Sequence, residues 1–244
     1  MLVAIHQPTF LPWLGYLDRM LRSDLFVILD HVQFERRNYQ NRALIRLEDE
    51  TKWLTVPVVQ LSQKEKIIDK RVDNPEDLSG NRWWGPNSFA TLRYAYRKSK
   101  HFEDYAPKLK EIFHARWDKL LDLNMATLEF LREELQITTP MIRSSTLAPD
   151  GQRSELLLDI CQKVGATAFH GGMGGSREYL DKAAFDAAGM GVVWQQLTHP
   201  EYPQCGTAPF IKGLSALDTL FNCGPRSAEV LRQCAPREHE LLAA

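Results

Sequence analysis

The chain has 244 residues, 44% of them hydrophobic and 25% charged, with a formal net charge of -1. That length supports one sizeable core in a single domain, and the near-neutral balance supplies no field that would hold nucleic acid or an anionic membrane by charge alone. The opening Met1-Leu2-Val3-Ala4-Ile5 has no basic stretch ahead of it and runs straight into His6, and no apolar run approaches the roughly 18 residues of a membrane span, so a cytoplasmic protein without membrane insertion is expected.

Residues 2–5 form a short apolar run of the kind buried in a parallel sheet. A proline-rich turn follows, then an amphipathic helix over 13–21. Residues 24–30 are apolar between two acids and read as the next strand, completing a β-α-β unit. Residues 42–46 and 53–59 read as further strands, a hairpin across the polar turn at 47–52. From 82 to 135 the chain reads as mostly helical: Phe89, Leu92 and Tyr96, then Leu109, Ile112, Phe113, Leu120, Leu121, Leu123, Leu128 and Leu131, recur at three- and four-residue steps, with a break expected at Ala106-Pro107. After Thr139-Pro140 the alternation resumes with a strand at 141–144, a helix at 154–164, a strand at 166–170, a glycine-rich turn at 171–175, a helix at 176–188 and a strand at 191–196. The pattern predicts an α/β fold, a Rossmann-like, mostly parallel sheet flanked by helices. It would be one domain over 1–244, with sheet regions at 1–80 and 139–224 and a helical insertion at 82–136.

The chemistry-bearing residues gather in the turns after strands. His6 stands at the carboxyl end of the first strand, where a near-neutral imidazole can act as general base, general acid or donor. Gln7, Pro8, Pro12 and Gly15 surround it with rigid turn chemistry beside polar groups, while Trp13 and Tyr16 follow as helix packing or as substrate contacts. After the second strand come Asp30, His31, Gln33, Arg36, Arg37, Gln40, Asn41 and Arg42, which the β-α-β reading places on the same edge as His6. Of these, Arg36, Arg37 and Arg42 can clamp a phosphate or carboxylate through paired hydrogen bonds, or simply be solvated surface. The glycine turn, with Gly172 at its heart, can present backbone N–H groups to an anion, though it has neither P-loop nor GxGxxG spacing and is equally an ordinary tight turn. His199-Pro200-Glu201-Tyr202-Pro203-Gln204 repeats the theme of an imidazole and an amide between prolines. Lying at the same edge, His6 and His199 would divide acid and base roles or grip one polar substrate, with Tyr202 and Gln204 beside them; a proline-stiffened surface loop is the plain alternative.

Other chemistries find little support. Cys161, Cys205, Cys223 and Cys234 show no zinc spacing, and reduced thiols are expected. Cys205 directly follows Gln204 and is near His199 in sequence, yet no cysteine-protease signature accompanies it, and Cys161 inside a helix reads as a core thiol. HExxH, GxSxG and a carboxylate cluster suited to a metal are all missing.

Several segments together carry a resemblance. Ile5-His6-Gln7-Pro8 with Leu11-Pro12-Trp13-Leu14-Gly15-Tyr16, Ser23-Asp24, Leu29-Asp30, Val32-Gln33-Phe34, Gln40-Asn41-Arg42 and Trp53-Leu54-Thr55-Val56-Pro57-Val58 lead the series. Tyr179-Leu180-Asp181, His199 to Gln204 and Leu214-Ser215-Ala216-Leu217-Asp218 with Leu220-Phe221-Asn222-Cys223-Gly224 continue it. Along these the chain resembles the WbqC-like family from end to end. The resemblance implies a biosynthetic enzyme of bacterial O-antigen, other surface-glycan or natural-product assembly. That pathway type, with the paired histidines His6 and His199, suggests a group transferase moving an acyl or aminoacyl group to an amine such as an amino sugar, using a small-molecule or sugar substrate and an activated acyl donor, with an acyl carrier protein as a candidate partner.

A more distant similarity links Pro8-Thr9, Trp13-Leu14-Gly15-Tyr16, Ser23-Asp24 and Val32-Gln33-Phe34 to the opening of nucleotidyltransferases of the pantothenate synthetase type. That implies ATP as cofactor, but the two histidines of the HxGH motif are replaced here by Trp13 and Tyr16. A non-catalytic ligand-binding or scaffold protein is the third expectation.

Overall fold

A computed structural model describes residues 1–62, 64–74 and 84–234. The opening apolar run becomes β1 (Leu2–His6), followed by α1 (Leu14–Leu21) and β2 (Leu25–Ile28). A hairpin of β3 (Arg42–Leu47) and β4 (Glu50–Thr55) leads to the helices α2 (Trp84–Tyr96), α3 (Phe102–His114) and α4 (Leu120–Glu134). β5 (Met141–Arg143), α5 (Ser154–Lys163), β6 (Ala168–Gly171), α6 (Ser176–Tyr179), α7 (Lys182–Ala187) and β7 (Gly191–Trp194) return to the sheet, and α8 (Ala216–Cys223) and α9 (Ser227–Arg232) complete the described chain. The sheet has five strands in the order β5-β2-β1-β6-β7, and every pairing in it is parallel. The fold is α/β with a helical region, as the alternation predicts.

A parallel sheet needs cover on both faces because its crossovers leave neither face to water. The two-residue period of β1 shows how the cover is divided. Ala4 belongs with Phe26, Ile28, α1 and the helical region in one core, whereas Val3 and Ile5 belong with Val27, Phe169 and the α5 and α7 residues Leu156, Ile160 and Phe185 in the other. His6, two positions after Ala4, therefore emerges on the α1 side.

Four expectations are corrected. The hairpin turns at Glu48-Asp49 rather than over 47–52, and its second strand starts at Glu50, with Leu47 opposite Glu50. Residues 50–53 are all exposed, so no apolar alternation marks them as strand. Pro107 does not break the helical stretch but lies inside α3; Pro107 and Glu103 are both exposed, so the carbonyl that proline leaves unpaired can turn to water. The breaks fall instead between Tyr96 and Phe102 and between His114 and Leu120. The helix expected over 176–188 is two helices, because the Asp181 side chain caps the second by accepting from the Ala184 N–H at 3.1 Å. Finally, α1 is not half-solvated: every residue from Leu14 to Met20 is buried, since α9 packs over the side that the sheet leaves open. The expected boundary between sheet and helical regions at 80–82 lies outside the described residues.

No helix among the described residues is long and apolar enough to cross a membrane. All four cysteines are unbridged, and burial raises the pKa of the Cys161 thiol to about 12, which makes it an inert core group.

Candidate active site

The order β5-β2-β1-β6-β7 reverses direction at β1. Chain leaving β1 builds outward through β2 to β5, and β6 then enters on the opposite side of β1. The turns after β1 and β6 consequently part, and a crevice opens outside the carboxyl ends of the strands. A cavity of about 440 Å³ lies there, of a size for a small molecule. The end of β1 contributes His6 and Gln7, α1 contributes Trp13, Tyr16 and Arg19, and the turn after β6 contributes Gly172.

His6 is held in one protonation form. Its Nδ1 lies 2.9 Å from the Gln7 carbonyl, which can only accept, so Nδ1 carries the hydrogen and Nε2 keeps its lone pair. Nε2 has no hydrogen-bond partner among the described residues. Burial, and next the charge of Arg19, push the His6 pKa down to about 3, against the Gln7 carbonyl that favours the charged form. The imidazole is neutral at pH 7. Two rings fix its plane: Tyr16, edge-on at 4.8 Å, and Trp13 at 6.1 Å between centroids.

The loop over residues 35–40 is tied to this turn. Gln40 donates to Gln7 Oε1 at 2.8 Å and accepts from the Glu35 N–H at 3.0 Å. Those bonds hold Glu35 and Asn38 at the cavity wall, where Asn38 donates to the Glu35 carboxylate at 2.6 Å. They also leave the Gln7 NH2 group without a partner among the described residues.

Arg19 is 4% exposed, and among the described residues its guanidinium makes one hydrogen bond, from Nη2 to the Ile5 carbonyl at 3.3 Å. No ion pair involves it among the described residues. Burial lowers its pKa to about 10, so it remains charged at neutral pH. A Cβ on Gly172 would stand 2.5 Å from Arg19 Nη1; glycine there lets the turn lie directly on the guanidinium.

The structure brings His6, Gln7, Trp13, Tyr16 and Gly172 together and places the other expected site residues elsewhere. Asp30 is fully buried, and its two oxygens accept from Ser144 and Ser145, pinning the loop after β2 to the end of β5. Gln33 and Arg36 line a separate cavity with Lys70. Asn41 donates to the Val56 carbonyl at 2.9 Å, joining the strands at the base of the hairpin. Arg42 lies 4.0 Å over the Trp53 ring. Tyr202 and Gln204 both donate to Asp218 Oδ1, at 2.9 and 2.8 Å, while Tyr96 donates to Oδ2 at 3.1 Å; the cluster is a buried clamp joining α2, α8 and the 202–204 segment.

His199 repeats the His6 device without its opening. Its Nδ1 lies 3.0 Å from the Pro200 carbonyl, but its Nε2 accepts from the Gly213 N–H at 3.2 Å. Both nitrogens are used within one loop, and His199 packs against Phe210 at 5.6 Å and Tyr202 at 6.4 Å. It is not among the residues lining the cavity. Cys205 likewise turns away, its Sγ 3.9 Å from the Ala95 carbonyl.

Sequence reasoning missed Arg19, Glu35, Asn38, Tyr179 and Gln195, all on the cavity wall. One signal for Arg19 was available: Asp18-Arg19 are adjacent charges in an otherwise apolar helix. Gln195 donates to the Gly15 carbonyl and to Asp18 Oδ2, each at 2.8 Å, and nothing local announces that role. Among the described residues no group of three or more His, Cys, Asp or Glu side chains is placed to hold a metal ion.

Residues 7–230 match the model of the WbqC-like protein family. An uncharacterized protein of Mycobacterium tuberculosis is 30% identical over 235 residues, spanning 95% of this chain and 98% of that one. No solved structure matches.

Proposed function

We infer that this chain, which belongs to the WbqC-like protein family, is a group-transfer enzyme that moves an acyl or aminoacyl group onto an amine, such as that of an amino sugar, in surface-polysaccharide or natural-product assembly. The observation that carries this reading is His6, neutral, oriented through Nδ1 by the Gln7 carbonyl, and with Nε2 unpaired at a small-molecule cavity. Burial makes the ring a weak base, but its free lone pair can still take the proton as acylation turns the attacking nitrogen strongly acidic.

In the reaction, the amine nitrogen attacks the acyl carbonyl carbon of an activated donor, a carrier thioester or an acyl phosphate. A C–N bond forms, the bond from carbon to the thiolate or phosphate leaving group breaks, and His6 Nε2 takes the proton that the amine sheds. The Gln7 carbonyl, accepting from Nδ1, steadies the imidazolium that results. Glu35, at the cavity wall, offers carboxylate oxygens that can accept a hydrogen bond from the neutral amine as it enters.

Purified protein offered acyl thioesters or acyl phosphates with a panel of amines should form an amide, and His6→Ala should reduce the rate by 10²–10⁴-fold with the fold intact. An unchanged rate in His6→Ala, or no amide from any donor and acceptor pair, overturns the reading.

A further inference from the structure

Arg19 is a cavity-wall residue whose placement stability alone does not explain. Burying a guanidinium carries a large desolvation cost even after relaxation, and a single hydrogen bond to a carbonyl, here 3.3 Å long, recovers only a small part of it. The neighbouring acid offers no compensation. Asp18 Oδ1 is bound by Arg22 Nε at 2.6 Å and Oδ2 by Gln195 Nε2 at 2.8 Å. The titratable groups that act most on the guanidinium are the phenols of Tyr16 and Tyr179, and burial raises the pKa of both above its ordinary value, so they are neutral at pH 7. The floor of the cavity thus holds a positive charge that has no ion-pair partner among the described residues. It faces a turn in which Gly172 leaves no side chain between backbone and guanidinium.

We propose that Arg19 is the oxyanion receptor of the cavity: the substrate carries a carboxylate or phosphoryl group that seats on the Arg19 guanidinium beside the turn at Gly172. The planar fork of a guanidinium suits the paired oxygens of either group, and the desolvation already incurred by folding makes the charge ready for a ligand. The assignment rests on the reading of this cavity as the substrate site of a transferase, and it names the class of donor or acceptor used there: an anionic one.

The test is calorimetric titration at fixed ionic strength with inorganic phosphate and pyrophosphate in one arm and with succinate and citrate in the other, against chloride. Wild-type protein should bind one arm saturably, and the arm that binds identifies the group. Arg19→Met should weaken that binding at least tenfold while unfolding at the same temperature as wild type or higher, because an apolar chain of similar length removes a buried charge. Should Arg19→Met not fold, Gly172→Ala keeps the arginine but puts a methyl group 2.5 Å from Nη1, which displaces the guanidinium from its seat, and it should lose the anion equally. Binding that survives in the folded variant, or wild-type protein that binds neither arm, overturns the proposal. His6→Ala separates the two readings: it should retain anion affinity while failing to form amide. A protein that binds anions through Arg19 yet makes no amide sinks the transfer reading alone.

Discussion

His6 and His199 share a tautomer and differ at one nitrogen. Each Nδ1 faces the carbonyl of the next residue, at 2.9 and 3.0 Å, yet only His199 has its Nε2 occupied, by the Gly213 N–H. The two substitutions should therefore separate cleanly. His199→Ala loses a hydrogen bond at each nitrogen and should lower stability by about 1–3 kcal/mol, measured by urea unfolding, with the turnover of folded protein unchanged. His6→Ala should cut turnover by roughly 10²–10⁴-fold with a much smaller effect on unfolding.

Acid should weaken the fold through His170. Burial first, then the charges of Arg19 and Arg22, lower its pKa to about 4, and its Nδ1 is 2.9 Å from Ser23 Oγ. Below the unfolded value of 6.5 the unfolded chain takes up a proton that the folded chain refuses, so the stability held above pH 6.5 declines as pH falls toward 4. The loss from this group is about 3 kcal/mol. Unfolding free energies at pH 7 and pH 4.5 should diverge less in His170→Asn than in wild type; equal divergence in both would assign the acid sensitivity to other groups.

Tyr202→Phe should act on stability and leave the cavity alone. The substitution removes one donor to Asp218 Oδ1 while Gln204 and Tyr96 remain, a loss of about 1.5–3 kcal/mol for a hydrogen bond to a charged acceptor. Anion titration of the folded variant should match wild type.

Gly15→Ala tests how closely the cavity is packed. The added Cβ would stand 2.8 Å from Leu197 Cδ2 and 3.0 Å from Trp13 Nε1, so both must shift at a cost of about 1–3 kcal/mol. Tryptophan fluorescence should change, and substrate affinity should fall, because both neighbours line the cavity.

The β-α-β opening was legible because fully buried strands are written as unbroken apolar runs between turn residues. The start of β4 was not, since four exposed residues open it. The cavity was half legible. His6, Gln7, Trp13, Tyr16 and Gly172 belong to turns or helix starts whose chemistry is local, but Arg19 becomes a buried charge only through distant chain. It is Gln195, just beyond β7, that occupies Asp18, and α9 covers α1 from the other end of the sequence. Asp30, Tyr202 and Gln204 read as ligand groups for the same reason in reverse: their partners Ser144, Ser145 and Asp218 are far off in sequence, so their saturation cannot be seen locally.

The pairing of β1 with β6 sets Leu2 beside Ala168, which fixes when the cavity comes into being. Such distant pairings close late, after the chain between them has ordered. Chain that joins β1 to β2 before β6 docks would hold His6 and Arg19 but lack the Gly172 wall. During refolding, recovery of ligand capture should therefore lag behind recovery of helical signal, and that lag would clock the docking of β6.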